Sequence, residues 1–113
     1  YKRIKLADKY FNEIKNKKII LLKINKLNKH VFHLFVIRTH KRDMLKKYLE
    51  KNKIITGIQY PIPIHKQKYF SKIVKFNKLT NTEIISNEIL SLPIYPSLKI
   101  KYINKVIQIL NKF

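Results

Sequence analysis

Apolar residues fall at helical spacing from the first turn of the chain. Ile4, Ala7, Phe11 and Ile14, with Tyr10 beside them, predict an amphipathic helix over residues 2–16. Lys18 to Ile24 is rich in Ile and Leu, and the Asn25–Asn28 stretch ends it as a turn. Val31 to Ile37 is dense in β-branched and aromatic residues and predicts a strand, with His33 on the same face as Val31. The two apolar stretches, 19–24 and 31–37, are expected to pair as a hairpin. Leu45, Tyr48 and Leu49, flanked by Met44, form the stripe of a second helix over Arg42 to Lys51, and Asn52 suits its left-handed end. Ile54 to Ile58 predicts a short strand.

The second half of the chain is more broken. Tyr69, Phe70, Ile73 and Phe76 fit one helical turn or two. Thr80 and Glu83 stand at capping-box spacing, which predicts a helix from about Asn81 to Leu90 with Ile84, Ile85, Ile89 and Leu90 available for burial. Leu92-Pro93-Ile94-Tyr95-Pro96 must be extended. Ser97 is expected to cap a last helix whose apolar face is Ile100, Ile103, Val106, Ile107 and Leu110. Helices alternating with short strands predict one α/β (α+β) domain over residues 1–113, a small mixed β-sheet packed with helices.

Residues 56–67, Thr-Gly-Ile-Gln-Tyr-Pro-Ile-Pro-Ile-His-Lys-Gln, carry the strongest local signal of function. Pro61 and Pro63 each remove a backbone donor and push the preceding residue toward extended geometry. The segment is expected to run as a stiff exposed loop that presents Gln59, Tyr60, His65 and Gln67. A rigid loop with polar and aromatic side chains is a common place for binding groups, although a plain Pro-rich connector has the same local signature.

Composition narrows the chemistry. The 113 residues carry 26 Lys and Arg against 6 Asp and Glu, a formal charge of +20. Lysines run from Lys2 to Lys112 without gathering into a stripe. Arginine, the residue suited to bidentate phosphate contacts, appears only at Arg3, Arg38 and Arg42. The charge is therefore read as a solvated surface, with nucleic acid unlikely as a partner. A freestanding basic module that binds polyanions non-specifically is the alternative, and a degenerate gene remnant a third. There is no cysteine, so no disulfide or thiolate metal site is available. No apolar run approaches the length of a membrane span. His30 and His33, three apart in an expected strand, would face opposite ways, so a shared metal is not expected. Gly57 is the single glycine, which excludes Gly-rich phosphate loops. The acids Asp8, Glu13, Glu50 and Glu88 fall on polar helix faces, and no two form an acid/base pair. Nothing here makes a complete catalytic site. Residue 1 is a Tyr inside a helical pattern, so the chain reads as a piece of a longer protein.

Four blocks, taken together, resemble a known family. His30-Val31-Phe32-His33-Leu34-Phe35-Val36-Ile37-Arg38 is followed by Arg42-Asp43-x-Leu45-x-x-Tyr48-Leu49. Then come Thr56-x-Ile58-x-Tyr60-Pro61-Ile62-Pro63-x-His65-x-Gln67 and Asn87-Glu88-Ile89-Leu90-Ser91-Leu92-Pro93-Ile94. In this order and spacing the blocks resemble the C-terminal part of the DegT/DnrJ/EryC1/StrS sugar-nucleotide aminotransferases, closest to the branch acting on dTDP-linked keto-deoxyhexoses. The resemblance implies the C-terminal small domain of a fold-type I enzyme, residues 1–16 being a linking helix. It implies a cytoplasmic homodimer that uses pyridoxal 5′-phosphate to move an amino group, commonly from glutamate, to a nucleotide-linked keto-sugar. The cofactor lysine and its partners would belong to an N-terminal domain absent here. This chain alone would bind no cofactor and be inactive. By the same resemblance Gln59, Tyr60 and His65 face the cleft and bind substrate. Relatives commonly carry His where Gln59 stands, and Gln cannot shuttle a proton near neutral pH. Relatives often carry Gly where Lys53 stands, and a left-handed Lys there costs about 1 kcal/mol unless Asn52 takes that conformation.

Overall fold

The computed structural model describes residues 1–25, 27–75 and 78–113. The elements run α1 (Lys2–Glu13), β1 (Ile20–Leu21), β2 (Phe35–Arg38), α2 (Arg42–Lys51), a 3-10 turn (Ile64–Lys66), α3 (Lys68–Ile73), α4 (Thr80–Glu88), β3 (Ile89–Leu92) and α5 (Ile100–Lys112). The sheet order is β1-β2-β3. Both pairings are antiparallel, with Leu21 opposite Ile37 and Ile37 opposite Leu90, so the small sheet packed with helices is present but is not mixed in strand direction.

One face of the sheet carries Phe35 and Ile37, both fully buried. Against it lie α1 and α5. Tyr10 is buried over Phe35, ring centroids 4.7 Å apart, and its hydroxyl donates to the Pro93 carbonyl at 2.9 Å. Burial pushes that phenol well above its ordinary range, with the nearby Tyr95 adding to the shift. Ile103, Val106, Ile107 and Leu110 form the inward stripe of α5, as the 3.6-residue period requires. The end of α1 is tied to the end of α5 by Asn111. Its amide donates to the Glu13 carbonyl at 2.9 Å and its carbonyl accepts from the Lys15 amide at 2.8 Å. Polar groups left open at a helix terminus are thus satisfied by a distant side chain.

Helix α2 ends as a Schellman motif. The Ile54 amide donates to the Leu49 carbonyl and the Lys53 amide to the Glu50 carbonyl, both at 2.9 Å. The left-handed residue is Lys53, at φ 61°, and not Asn52, which stays at φ −90°. Ile54 is buried and provides the hydrophobic contact that accompanies this motif.

Several expectations are corrected. The strand foreseen from Val31 begins only at Phe35, because Phe32 turns to φ 50° and its amide donates to His30 Nδ1 at 2.9 Å. His33 is consequently exposed and outside the sheet. The segment 54–58 is not a strand; it touches the sheet through a single bridge, Gly57 to Ser91. The foreseen helix to Leu90 stops at Glu88, and Ile89 and Leu90 enter β3. Ile84 and Ile85 are exposed. Thr80 makes no capping bond, and Ser97 does not cap α5, whose cap residue is Lys99. The helix starting at Lys68 ends at Ile73. Phe76 and part of the Asn25–Asn28 turn lie outside the described residues.

Candidate functional site

The proline loop leaves the sheet at Gly57 and returns at α3. Its frame comes from both ends. At the sheet end, the Gly57 amide donates to the Ser91 carbonyl at 3.1 Å and the Ser91 amide to the Gly57 carbonyl at 2.7 Å. The peptide bond between Gln59 and Tyr60 is cis. At the far end, the 3-10 turn is tied to the first turn of α4. His65 Nε2 lies 3.2 Å from Glu83 Oε1, and Lys66 Nζ lies 2.6 Å from Glu83 Oε2. The Lys66 ammonium and then the His65 ring, both hydrogen-bonding the carboxylate, hold the Glu83 carboxyl below its ordinary range.

Between loop and helix runs a groove of about 580 Å³, lined by Tyr60, Ile62, Pro63, His65, Ile85 and Ile89, among others. Its walls are mostly apolar, and among the described residues no lysine or arginine lines it. The three site residues expected from the sequence are placed differently. Tyr60 stands at the groove with 77% of its surface exposed. His65 also borders the groove, but its side chain is only 9% exposed and is engaged by Glu83. Gln59 lies outside the groove lining. It is exposed, and its Oε1 accepts from Ser91 Oγ at 2.6 Å. The chain therefore brings Tyr60 and His65 to one groove and holds Gln59 on the sheet side of the same loop.

Three polar residues of this region were missed as structural partners. Ser91 is a lone hydroxyl in an apolar strand run, and that isolation was its signal. Glu83 was read as half of a capping box. Glu88, read as an exposed helix-face acid, is buried. Arg38 donates to its Oε2 through Nη2 at 2.7 Å and Nε at 3.1 Å, and His40 Nδ1 lies 2.6 Å from its Oε1. The Arg38 guanidinium, with His40 adding to it, holds that carboxyl below its ordinary range despite burial.

No group of three or more His, Cys, Asp or Glu residues suited to a metal occurs among the described residues, and no helix among them is long and apolar enough to cross a membrane. Pyridoxal phosphate does not fit the groove's own donor set. A Schiff base needs an unpaired lysine amine and the phosphate needs several convergent donors, and the lining supplies neither.

The chain matches the DegT/DnrJ/EryC1/StrS aminotransferase family over residues 1–111. It is 36% identical over 112 residues to the dTDP-3-amino-3,6-dideoxy-alpha-D-galactopyranose transaminase of Aneurinibacillus thermoaerophilus, an alignment covering 99% of this chain and 31% of that protein. Its fold superposes on S. venezuelae DesV, solved in complex with a ketimine intermediate. The TM-score is 0.93 at 29% identity, over 98% of this chain and 30% of that one. NtdA from Bacillus subtilis, solved with bound cofactor PMP, matches with a TM-score of 0.82 at 30% identity, over 96% of this chain and 27% of that one. A small sheet packed with helices is thus a lobe that this chain shares with the solved sugar aminotransferases. This chain belongs to the DegT/DnrJ/EryC1/StrS aminotransferase family, and it spans about a third of the length of the relatives it matches.

Proposed function

We propose that this chain is the C-terminal small domain of a pyridoxal-phosphate-dependent aminotransferase that moves an amino group, taken from glutamate, onto a nucleotide-linked keto-sugar in amino-sugar biosynthesis. The observation that carries this reading is the match of 99% of this chain to a sugar transaminase, combined with the exposed, doubly anchored loop at residues 57–66. The cofactor, which supplies the amino-group shuttle, would be held by polypeptide outside this chain, because the described residues lining the groove include no lysine for it. An N-terminal cofactor domain, joined to this one through the linking helix of residues 1–16, and a second subunit would complete a cytoplasmic homodimer.

Within that assembly the residues of this chain bind and orient. The Tyr60 hydroxyl is free to hydrogen-bond a phosphate or sugar hydroxyl. Gln59 offers a neutral amide, which binds an oxygen but moves no proton. His65, bound to Glu83, fixes the loop's far end, and the apolar groove keeps water from one side of the cleft.

The test is expression of the full-length protein with pyridoxal phosphate. It should be assayed against dTDP- and UDP-linked keto-sugars with glutamate as donor, and the amine product identified by mass spectrometry. The expected result is an aminated sugar nucleotide from the full-length protein and none from residues 1–113 alone. A full-length protein that loads cofactor yet aminates no nucleotide-linked sugar would overturn the reading.

A further inference from the structure

Ser91 has no role in the chemistry described so far, yet its placement is restrictive. It is 6% exposed, and its backbone pairs with Val36 on one side and Gly57 on the other, so its hydroxyl direction is fixed by two strands. That hydroxyl donates to Gln59 Oε1 at 2.6 Å. The acceptor end of the Gln59 amide is thereby occupied, and the NH2 end has no acceptor among the described residues. The amide lies against Gly57. A Cβ built on Gly57 would meet Gln59 Nε2 at 2.6 Å, far inside contact distance, and the nearest obstacles are all atoms of that side chain. Glycine at 57 is therefore what leaves room for this rotamer. Its φ is not in the left-handed region, so the backbone itself does not demand glycine.

We propose that Ser91, with Gly57 beneath, is a positioning residue that locks the Gln59 amide with its Oε1 engaged and its NH2 held over Gly57, as a permanent donor to an acceptor oxygen of the bound sugar nucleotide. This rests on the reading that the 57–66 loop faces the substrate. A histidine in the same place would donate from both nitrogens only when protonated. The locked glutamine donates at every pH, which makes this contact insensitive to pH through the imidazole range.

The test uses the full-length protein, a dTDP-linked keto-deoxyhexose and saturating glutamate. Ser91→Ala and Gly57→Ala should each raise KM about 3–10-fold, the loss of one neutral hydrogen bond, with kcat falling less. In a Gln59→Ala background, Ser91→Ala should change KM less than about 2-fold, because the group it orients is gone. Gln59→His should introduce a KM that rises as pH passes up through the imidazole range, where the native enzyme is flat. An equal Ser91→Ala penalty in both backgrounds would show a merely structural hydroxyl and overturn the proposal. A separate arm needs no turnover. In ¹⁵N-labelled protein the Gln59 side-chain amide pair, assigned by its loss in Gln59→Ala, should move toward free-glutamine positions in Ser91→Ala. If the native protein aminates no sugar nucleotide, the functional reading fails and this spectrum decides the hydrogen bond. If the spectrum does not move, the positioning role is wrong even in an active enzyme.

Discussion

At the scale of single residues, two positions hold energy that can be measured. Lys53 occupies a left-handed conformation, and its Cβ crowds its own backbone there at a cost of about 1 kcal/mol. The Schellman bonds and the burial of Ile54 outweigh that cost. Replacement by Gly removes the crowding, so Lys53→Gly should raise stability by about 0.5–1 kcal/mol, or roughly 4 °C in Tm. An unchanged or lowered denaturation midpoint would contradict the backbone reading. Glu88 works in the opposite sense. Its side chain is 8% exposed while Arg38 is 34% exposed, so removing the charge should cost about 2 kcal/mol, below the cost of breaking a fully buried pair. Its carboxyl is held below the ordinary range by the Arg38 hydrogen bonds. Between the lowered folded value and the ordinary unfolded one, the unfolded chain binds more protons. The stabilisation is thus complete above the ordinary carboxylate range and is lost as pH falls through the folded value. Chemical denaturation against pH should show Glu88→Gln less stable at neutral pH, with the gap to the native chain closing in acid. A gap independent of pH would remove the ion pair from the account.

At the scale of elements, what could be read from the chain depended on whether the decisive partner was local. Helix α2 was legible to its last residue because Leu45, Tyr48, Leu49 and the stop after Lys51 are local signals. The β1–β2 pairing was legible for the same reason, apart from the Phe32 turn that shortens β2. The segment at 54–58 was not, since only Gly57 reaches the sheet before the loop departs toward Tyr60. The start of α4 was legible to within a residue, but its cap was not. Thr80 and Glu83 fit a capping box, but Glu83 is taken by His65 and Lys66 from the loop, partners more than a dozen residues away. The exposure of the proline loop at Tyr60 was legible, whereas the tie that fixes His65 and the Ser91 contact of Gln59 required the fold. This capture makes a prediction. Glu83→Gln should leave β2 and α5 protected while amide exchange of Lys66 and Gln67, which close the 3-10 turn, quickens. In the native chain the same quickening should appear as pH falls through the lowered Glu83 value, since the carboxylate is what both Lys66 and the His65 ring hold. Unchanged exchange at Lys66 and Gln67 would mean the prolines alone set the loop.

At the scale of the whole molecule the issue is charge. The described residues place five of the six acids in ion pairs, Glu13, Asp43, Glu50, Glu83 and Glu88, so the anions are already spent on local partners. The remaining excess of +20 sits in a body whose radius of gyration is 15.6 Å. Each cation then lies within one or two Debye lengths of many others, the length being about 10 Å at 0.1 M salt. Surface pairs are each worth about 0–1 kcal/mol and weaken with salt. The repulsion is a sum over all cations and weakens with salt as well, and here it is the larger quantity. Added salt should therefore stabilise the fold, with the denaturation midpoint rising from about 0.02 to about 0.3 M NaCl. The same distribution limits polyanion binding. With lysines spread along the whole sequence, and no lysine or arginine among the described residues that line the groove, contact with duplex DNA has only the diffuse term. Titration of random duplex at about 0.15 M salt should give a Kd of about 10⁻⁵ M or weaker, independent of sequence and collapsing as salt rises. A sub-micromolar Kd under those conditions would require the lysines to converge on one surface, and would move the assignment away from an aminotransferase lobe.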